Sequence, residues 1–380
     1  MDRRTLLAVL ASAPGMLATR GAFAAPLAGE IRIGGLAFLT GRFSSYGVEA
    51  QKGLKIAVDT INVGGGILGR KLVVDLQDTQ SDSAQAISLL RRFAGSDDVV
   101  AVVGPIGTPD MLAILPVAAQ LDLAILSVGS QKTMAKSDFP PDLFRVCLIG
   151  TPQLIRSVLD KVAAAKNIKR IGLFTDRSND SSQAESKAVR DAMGLGTGLE
   201  LVAQETYTSG DKDFSVLIGK MLRANVDAMY LSGTTNEDVI IIPQARTRGF
   251  KGVFLGGATL TDPKIVQLVG AAAPPYVMFT PFDARSDRPV VVDFVAAYRK
   301  AYDTQVATYA AYAYDAVMLV KNALIRAGAP DRKAVLAAMG TTKDFQGVTG
   351  DYSFDGRGDN TTPEPYIMEV GPSGTFIPMK

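Results

Sequence analysis

Segments with the pattern of strands alternate with segments with the pattern of helices along most of this chain. After residue 29, the short apolar or alternating strings IRIGGLAFL, KLVVDLQD, VVAVVG and LAILSVG are separated by longer segments whose apolar residues fall on one helical face. The alternation restarts at LFRVCLIG and continues through IKRIGLFTD, LELVAQETY, VDAMYLSG and GVFLGG. This order is typical of parallel sheets covered by helices on both faces. The sequence therefore predicts two similar α/β units in series.

The last third of the chain does not have the pattern of a third α/β unit. It contains YVMFTPF, one long helical segment YAAYAYDAVMLVKNALIRAG and the polar stretch GDYSFDGRGDN. We expect it to return and complete both earlier sheets, with the proline-rich APPYVMFTPFD near residues 274–283 as one crossing between two lobes. Such crossings act as hinges, and ligands of parallel sheets bind beyond the carboxyl ends of the strands. We therefore expect a cleft that closes on a ligand.

Composition excludes several classes of function. The chain contains no histidine and one cysteine, Cys147, which removes Ser-His-Asp and Cys-His catalytic systems and the commonest metal ligand. Its 40 Lys and Arg against 38 Asp and Glu give no electrostatic reason to expect a nucleic acid or an anionic membrane as a partner. Catalysis is not forbidden by this composition, but its usual side chains are missing. We expect no cofactor and no metal, with Cys147 as an ordinary buried thiol.

Two glycine clusters match phosphate-binding loops by their letters alone. GGGILG at residues 64–69 fits G-x-G-x-x-G, which in dinucleotide-binding folds must follow a strand and open a helix. Here the preceding GVEAQKGLKIAVDTIN is helical and the following RKLVVDL alternates like a strand, while GLGTG at residues 194–198 likewise follows a helical segment. We expect both clusters to end helices, where left-handed backbone is needed. A secreted nucleotide enzyme is therefore disfavoured.

The first 24 residues have the order of a secretory signal. A pair of arginines precedes an apolar stretch from Leu6 to about Ala18, and AFA at residues 22–24 is a small-x-small cleavage site. The string RRTLL also resembles a twin-arginine export signal, although paired basic residues occur in ordinary signals. We expect cleavage after Ala24 and, because no cysteine lies near that site, an exported chain without a lipid anchor.

The string VVAVVGPIGTPD at residues 99–110 predicts a buried strand that ends in an open turn before a helix. Backbone N–H groups and small hydroxyls in such a turn suit an anion, assisted by the N-terminus of the following helix. The same residues suit a plain connection, because Thr108 is a good N-cap residue and Pro109 suits the first helical position. Both roles for Thr108 stay open at this point.

Five strings together resemble one family. LTGRFSSYGVEAQKGLKIAVDTINVGGGILGRKLVVDLQDTQSD, VVAVVGPIGT, DKDFSVLIGKMLRANVDAMYLSG, YAAYAYDAVMLVKNALIRAG and FQGVTGDYSFDGRGD are similar, in this order, to landmarks of the Leu/Ile/Val-binding family of type I periplasmic solute-binding proteins, receptors for ABC importers. The resemblance covers residues 30–370 and implies a two-lobed α/β fold with three hinge crossings. It implies one lobe of residues 28–148 plus 280–350 and another of residues 149–279 plus 351–380. It also implies a periplasmic receptor that performs no chemistry and works with membrane permease subunits, and we expect it to be a monomer.

The resemblance also implies a ligand site. Members of the family hold the carboxylate of an amino acid or similar acid on the first lobe, in the turns after two neighbouring strands. Tyr46 matches a ring that packs over the ligand, although a ring in this position also suits a core or surface site near a helix start. The positions matching the carboxylate cradle are Gly107, Thr108, Gly129, Ser130 and Gln131.

On the second lobe the sequence departs from the family. Amino-acid-binding members place an acidic residue near the ligand's ammonium group, where FLGGATLTD has Ala258. Thr234 stands where an aromatic ring is found, and Asp180 stands where an aromatic is frequent. Asp180, Glu237 or Asp238 could supply the missing charge from another direction, while the last two also suit a solvated helix start.

These departures decide between ligand classes. A buried ammonium left without its partner costs roughly 2 to 5 kcal/mol, so Ala258 argues against an ordinary α-amino acid. The sequence favours a carboxylate ligand without an α-ammonium group, such as an aromatic or other small organic acid, over a branched-chain amino acid or an amide. A ligand-sensing subunit of a regulatory system is the alternative in another functional class, since fold alone does not separate the two.

Overall fold

The structure is a computed structural model that describes residues 29–129, 134–270, 276–354, 358–360 and 365–379. The predicted signal and two predicted site residues, Ser130 and Gln131, lie outside the described residues. Among the described helices, none is long and apolar enough to cross a bilayer.

The first lobe is built on a parallel sheet in the order β2–β1–β3–β4–β5. Its strands are mostly buried except for the half-buried edge strand β2, and its helices bury one face each, as the alternation of the sequence predicts. Its elements in chain order are β1 (Glu30–Ala37), α1 (Ser44–Val63), β2 (Lys71–Asp78), α2 (Ser83–Ala94), β3 (Val99–Ile106), α3 (Thr108–Ala118), β4 (Ala124–Val128) and β5 (Leu143–Arg145).

The second lobe repeats this construction with parallel strands in the order β7–β6–β8–β9–β10. Cys147 is buried where the chain passes from the first sheet to the second. The elements of this lobe are α4 (Pro152–Lys166), β6 (Arg170–Asp176), α5 (Asp180–Gly194), β7 (Glu200–Tyr207), α6 (Ser215–Arg223), β8 (Ala228–Ser232), α7 (Thr235–Thr247), β9 (Val253–Gly256), α8 (Pro263–Val269) and β10 (Tyr276–Thr280).

The last third of the chain completes both sheets. Helix α10 packs along α1 on the first lobe, β13 pairs with β5, and β14 extends the second sheet antiparallel to β10. The two-lobed fold with its parallel sheets is thereby confirmed. These elements are α9 (Pro289–Tyr302), α10 (Thr308–Ala327), α11 (Arg332–Gly340), β11 (Phe345–Gly347), β12 (Gly350–Tyr352), β13 (Gly358–Asp359), β14 (Tyr366–Val370) and β15 (Phe376–Pro378).

The lobe boundaries follow from the strand pairing. The chain changes sheet between Arg145 and Pro152, between Thr280 and Pro289, and between Asp359 and Tyr366. The first two lobe boundaries expected from the sequence, after residues 148 and 279, stay predictions. The third comes later than the expected residue 351, because the two residues of β13 still belong to the first sheet.

The glycine clusters end helices, as predicted. Helix α1 ends at Val63, Gly65 and Gly66 have φ angles of +96° and +74°, and β2 begins five residues later at Lys71. Helix α5 ends at Gly194, and β7 begins at Glu200. In both places the glycines follow a helix and precede a strand, which is the reverse of a dinucleotide-binding loop.

The turn after β3 is shaped by two glycines. Gly104 has a φ of +104°, and a Cβ there would overlap the carbonyl oxygen of Leu36 on β1. Gly107, with a φ of +88°, is the N-cap residue of α3, and the helix begins at Thr108. The N-cap position therefore belongs to Gly107 and not to Thr108, whose hydroxyl accepts a hydrogen bond from Ser181 Oγ.

Polar contacts fasten the hinge. The Arg145 guanidinium, fully buried, forms an ion pair with Asp359, so that the ends of β5 and β13 are joined through side chains as well as backbone. The Thr308 hydroxyl, on the first lobe, lies 3.0 Å from that of Thr261 and 2.7 Å from that of Thr280. Thr261 and Thr280 belong to the second lobe, so the three hydroxyls link the lobes behind the cleft.

Candidate functional site

A narrow cavity lies between the lobes, at the carboxyl ends of both parallel sheets. This is the position expected for a ligand site in parallel α/β folds. Residues from both lobes line it: Phe38, Phe43, Tyr46, Gly107, Pro109 and Tyr309 from the first, and Asn179, Ser181, Ser182, Glu185, Gly233, Ala258 and Thr259 from the second.

The lobes touch each other around this cavity. Ser181 Oγ donates a hydrogen bond of 2.7 Å to Thr108 Oγ1. At the mouth, the Arg42 guanidinium donates to the carbonyl oxygen of Ser178 at 3.4 Å, and Asn236 Nδ2 donates to the carbonyl oxygen of Arg42 at 3.1 Å. These contacts describe a closed cleft.

The first lobe contributes an aromatic wall. Tyr46 stands near the start of α1 and Tyr309 near the start of α10, and because these helices pack side by side the two rings stack at 4.7 Å between centroids. Phe43 stacks on Tyr46 at 6.4 Å, and Phe38 lies 5.2 Å from Phe43. Tyr46 lines the cavity, and its role of packing over a ligand stays a prediction. The wall offers a flat apolar surface to the stem of a ligand.

The predicted carboxylate cradle is only partly assembled around the cavity. Gly107 lines it, but its N–H already donates to the carbonyl oxygen of Val128 at 2.9 Å. Gly129 lies against the ring of Tyr309, since a Cβ on Gly129 would lie 2.6 Å from that ring. Thr108 is placed at the cavity edge by its bond to Ser181. On this side an anion would meet the Thr108 hydroxyl and the N-terminus of α3.

The second lobe presents the first turns of α5. Asn179 caps this helix, its side chain accepting from the N–H of Ser181 at 2.9 Å, and the next turn brings Ser182 and Glu185 to the same face. Glu185 is the one charged residue among the described residues that line the cavity.

Glu185 is held as a buried acid. Its carboxylate accepts hydrogen bonds from the Tyr230 hydroxyl at 2.8 Å and from the Ser232 hydroxyl at 3.4 Å. Burial raises its pKa to about 7, because the charged form loses its hydration. One carboxylate oxygen lies 2.7 Å from where a Cβ on Gly257 would stand, so the acid is next to the turn that carries Ala258.

Ala258 therefore has an acid beside it after all. Ala258 lines the cavity, and α5 brings the carboxylate of Glu185 next to its turn. The sequence contained a signal for this: Glu185 shares a helical face with Ala188, Val189 and Ala192, which are buried. An acid on an apolar face is a candidate for a buried functional group.

The other predicted residues of the second lobe are placed differently. Thr234 is buried as the N-cap residue of α7, and its hydroxyl donates to Glu237, whose carboxylate also accepts from the N–H of Gly210 at 3.0 Å. Asp180 is exposed and lines a separate, larger cavity on the outer side of α5. Neither Thr234 nor Asp180 lines the cleft cavity.

Asp238 is fully buried on the first turn of α7, and neither carboxylate oxygen has a hydrogen-bond partner among the described residues. Burial, together with the charges of Glu237 and Glu185, raises its pKa well above the usual value.

Within the described part of the chain, no group of three or more acidic or sulfur side chains is arranged to hold a metal ion.

Comparisons with known proteins agree with this geometry. The family described as "Periplasmic binding protein" matches residues 30–375. Leu/Ile/Val-binding protein homolog 1 of Brucella abortus is 28% identical over 345 residues, which cover 89% of this chain and 90% of the relative. The crystal structure of a branched-chain amino acid transporter substrate-binding protein, LivJ of Streptococcus pneumoniae, in complex with isoleucine is 30% identical and superimposes with a TM-score of 0.81 over 91% of this chain and 97% of that one. The leucine-binding protein LivK of Thermotoga maritima is 26% identical and has the same TM-score over 92% of this chain and 98% of its own.

Proposed function

The chain belongs to the periplasmic binding protein family of ABC-type solute receptors, and on that premise we propose that it captures a small amino acid between its lobes and delivers it to membrane permease subunits. Family membership implies an exported, periplasmic location and a binding rather than a catalytic role. The signal type, the cleavage after Ala24 and the monomeric state stay predictions of the sequence.

One observation carries the choice of ligand. Glu185 faces a closed cavity whose described lining contains no lysine or arginine. When its carboxylate ionises there, it requires a cation, since an unpaired buried charge is strongly unfavourable. The ammonium group of an amino acid supplies that cation. This reverses the preference for an ammonium-free acid that Ala258 alone suggested.

The first lobe suits the other end of the same molecule. The hydroxyl of Thr108 and the N-terminus of α3 offer hydrogen bonds to a carboxylate, each worth roughly 1.5 to 3 kcal/mol when charge-assisted. The rings of Tyr46 and Tyr309 cover the aliphatic part of the ligand between the two charged ends. The similarity to LivJ of Streptococcus pneumoniae, whose crystal structure contains isoleucine, supports an aliphatic amino acid as the ligand.

The proposal is tested by removing one charge of the ligand at a time. The mature protein is titrated calorimetrically with L-leucine and L-norleucine, and with 4-methylpentanoate and hexanoate, which are the same molecules without the ammonium group. We expect each amino acid to bind about 30-fold or more tightly than its ammonium-free partner, corresponding to roughly 2 kcal/mol or more. If the two acids bind as tightly as the amino acids, the proposal is wrong and the ligand is an organic acid.

A further inference from the structure

Asp238 is a buried acid near the cleft that the proposed function does not use. Its side chain is fully buried, yet both carboxylate oxygens lack a hydrogen-bond partner among the described residues. Native proteins satisfy nearly all such groups, and each exception calls for a specific cause, such as a ligand that completes the site. Its neighbour Glu237 differs, because that carboxylate is bonded to the Gly210 N–H and the Thr234 hydroxyl.

Asp238 lies directly behind one wall of the cavity. That wall is Gly233, which has no side chain to close it off. A Cβ on Gly233 would lie 3.6 Å from Asp238 Oδ1 and would overlap the Tyr207 hydroxyl oxygen. Opposite, the Tyr46 hydroxyl is buried in the cavity lining and also has no hydrogen-bond partner among the described residues. A polar group entering past Gly233 would therefore meet three buried groups that lack a hydrogen-bond partner among the described residues: the Asp238 carboxyl and the hydroxyls of Tyr46 and Tyr207.

The charges around Asp238 favour a cation over a neutral group. The charged groups that act on its carboxyl are Glu237 and Glu185, which are both acidic. The described lining of the cavity contains no basic side chain to offset them. The π face of Tyr46 adds a further surface to which a cation is attracted.

We propose that Asp238 forms a second subsite, which binds an amine at the end of the ligand's side chain, so that this protein prefers a diamino acid to a purely aliphatic one. This inference rests on the proposed function: Glu185 binds the α-ammonium, and Asp238 the terminal amine. The methylene groups between the two amines lie along the rings of Tyr46 and Tyr309.

Binding through this subsite releases a proton. Without ligand, Asp238 holds its proton, because burial and two neighbouring acids raise its pKa. An amine arriving as the ammonium ion pairs with the carboxylate, so the proton of the carboxyl group passes to the buffer while the ligand keeps its own. The released proton is measured by repeating the titration in buffers with different ionisation enthalpies.

The test compares L-ornithine with L-norleucine, in which a methyl group replaces the terminal ammonium at nearly equal size. We expect the wild-type protein to bind L-ornithine about 30-fold or more tightly than L-norleucine. Asp238→Asn should lower the affinity for L-ornithine by a similar factor, leave that for L-norleucine nearly unchanged and reduce the proton release. Asp180→Asn, on the outer cavity of the same lobe, serves as the matched control and should preserve the preference.

The outcomes separate the two proposals. If L-norleucine binds as tightly as L-ornithine, or Asp238→Asn keeps the preference, the second subsite is refuted while amino-acid binding stands. If L-glutamine binds most tightly of the amino acids, the Asp238 subsite binds an amide and its assignment to a cation is wrong. If 1,5-diaminopentane binds through Asp238 while no amino acid does, the proposed function fails and the role of Asp238 survives. Thermal unfolding of Asp238→Asn checks that the variant is folded.

Discussion

The two walls of the cleft use different chemistry. The first lobe offers stacked rings and a hydroxyl, whereas the second offers Glu185 and, behind Gly233, Asp238. Aromatic faces accept many aliphatic shapes, but a buried acid rejects a ligand that leaves it unpaired. Under the proposed function, the first wall holds the ligand, while the second wall selects which ligand is accepted.

Replacing Glu185 by Gln should have the largest effect on ligand affinity, because it removes the charge of the second wall. The variant keeps the shape of the side chain but removes the charge that faces the ammonium group, so affinity for the preferred amino acid should fall about 30-fold to several thousand-fold, matching 2 to 5 kcal/mol. Calorimetric titration measures it. Asp191→Asn, exposed on the outer face of the same helix, is the control and should change affinity less than twofold. Unchanged binding by Glu185→Gln would show that the second wall does not select the ligand through this acid.

A change of pH should move the stability and the affinity in opposite directions. The pKa of Glu185 in the folded protein is about 7, above its ordinary value of 4.5, so the folded state holds a proton that the unfolded chain has released. The free energy of unfolding without ligand therefore falls as pH rises from about 4.5 to 7, by about 3 kcal/mol from this group. Affinity for the amino acid should instead rise about tenfold per unit up to pH 7, because binding requires the ionised carboxylate.

Thermal unfolding and titration across this pH range measure the two trends. Asp238 and Asp110 also have raised pKa values and act in the same direction, so the effect of Glu185 is the difference between wild type and Glu185→Gln. If Glu185→Gln keeps the wild-type dependence of both the free energy of unfolding and the affinity on pH, the assignment to Glu185 is wrong.

The smallest effect is expected where the two walls meet. Thr108→Val removes the acceptor of the Ser181 hydroxyl and a hydroxyl proposed to bind the ligand's carboxylate, so it should lower the population of the closed state and reduce the affinity about tenfold, or about 1.5 kcal/mol. Small-angle scattering without ligand measures the population of the closed state, and calorimetric titration with the ligand measures the affinity. Combining it with Ser181→Ala gives a double-mutant cycle in which the two effects should not add. Strict additivity would mean that this contact does not join the walls, and Thr108→Ser should restore the wild-type values.

Much of the fold was predictable because its signals are local. Strand and helix periodicity placed the two sheets, and the order of helix, glycines and strand around residues 64–69 excluded a phosphate loop. The third lobe boundary was missed because β13 has only two residues, too few for any periodicity. Pairing with β5 is a contact over two hundred residues of sequence, and no local pattern records it.

Residues of the first wall could be located from the sequence more readily than those of the second. Gly107 lies in the turn after β3, which carries its own signature of strand, glycine and helix start, and Tyr46 lies at the start of α1; both line the cavity, while their ligand contacts stay predictions. Glu185 was missed because an acid on a helix normally faces solvent, and only the packing of α5 shows that this face is buried. Asp180 was placed through a loop without an anchoring motif, and it lies on the outer side.

The ion pair between Arg145 and Asp359 has a mechanical consequence. Each residue ends a strand of the first sheet just before the chain crosses to the other lobe, and their side chains are joined. Two of the three crossings therefore start from one rigid anchor and must bend in step. A pivot of this kind favours rotation about one axis over twisting or sliding. We expect each closing motion to bring Glu185 and Tyr46 back to the same relative positions, so that the binding free energy is not reduced by misaligned closed states.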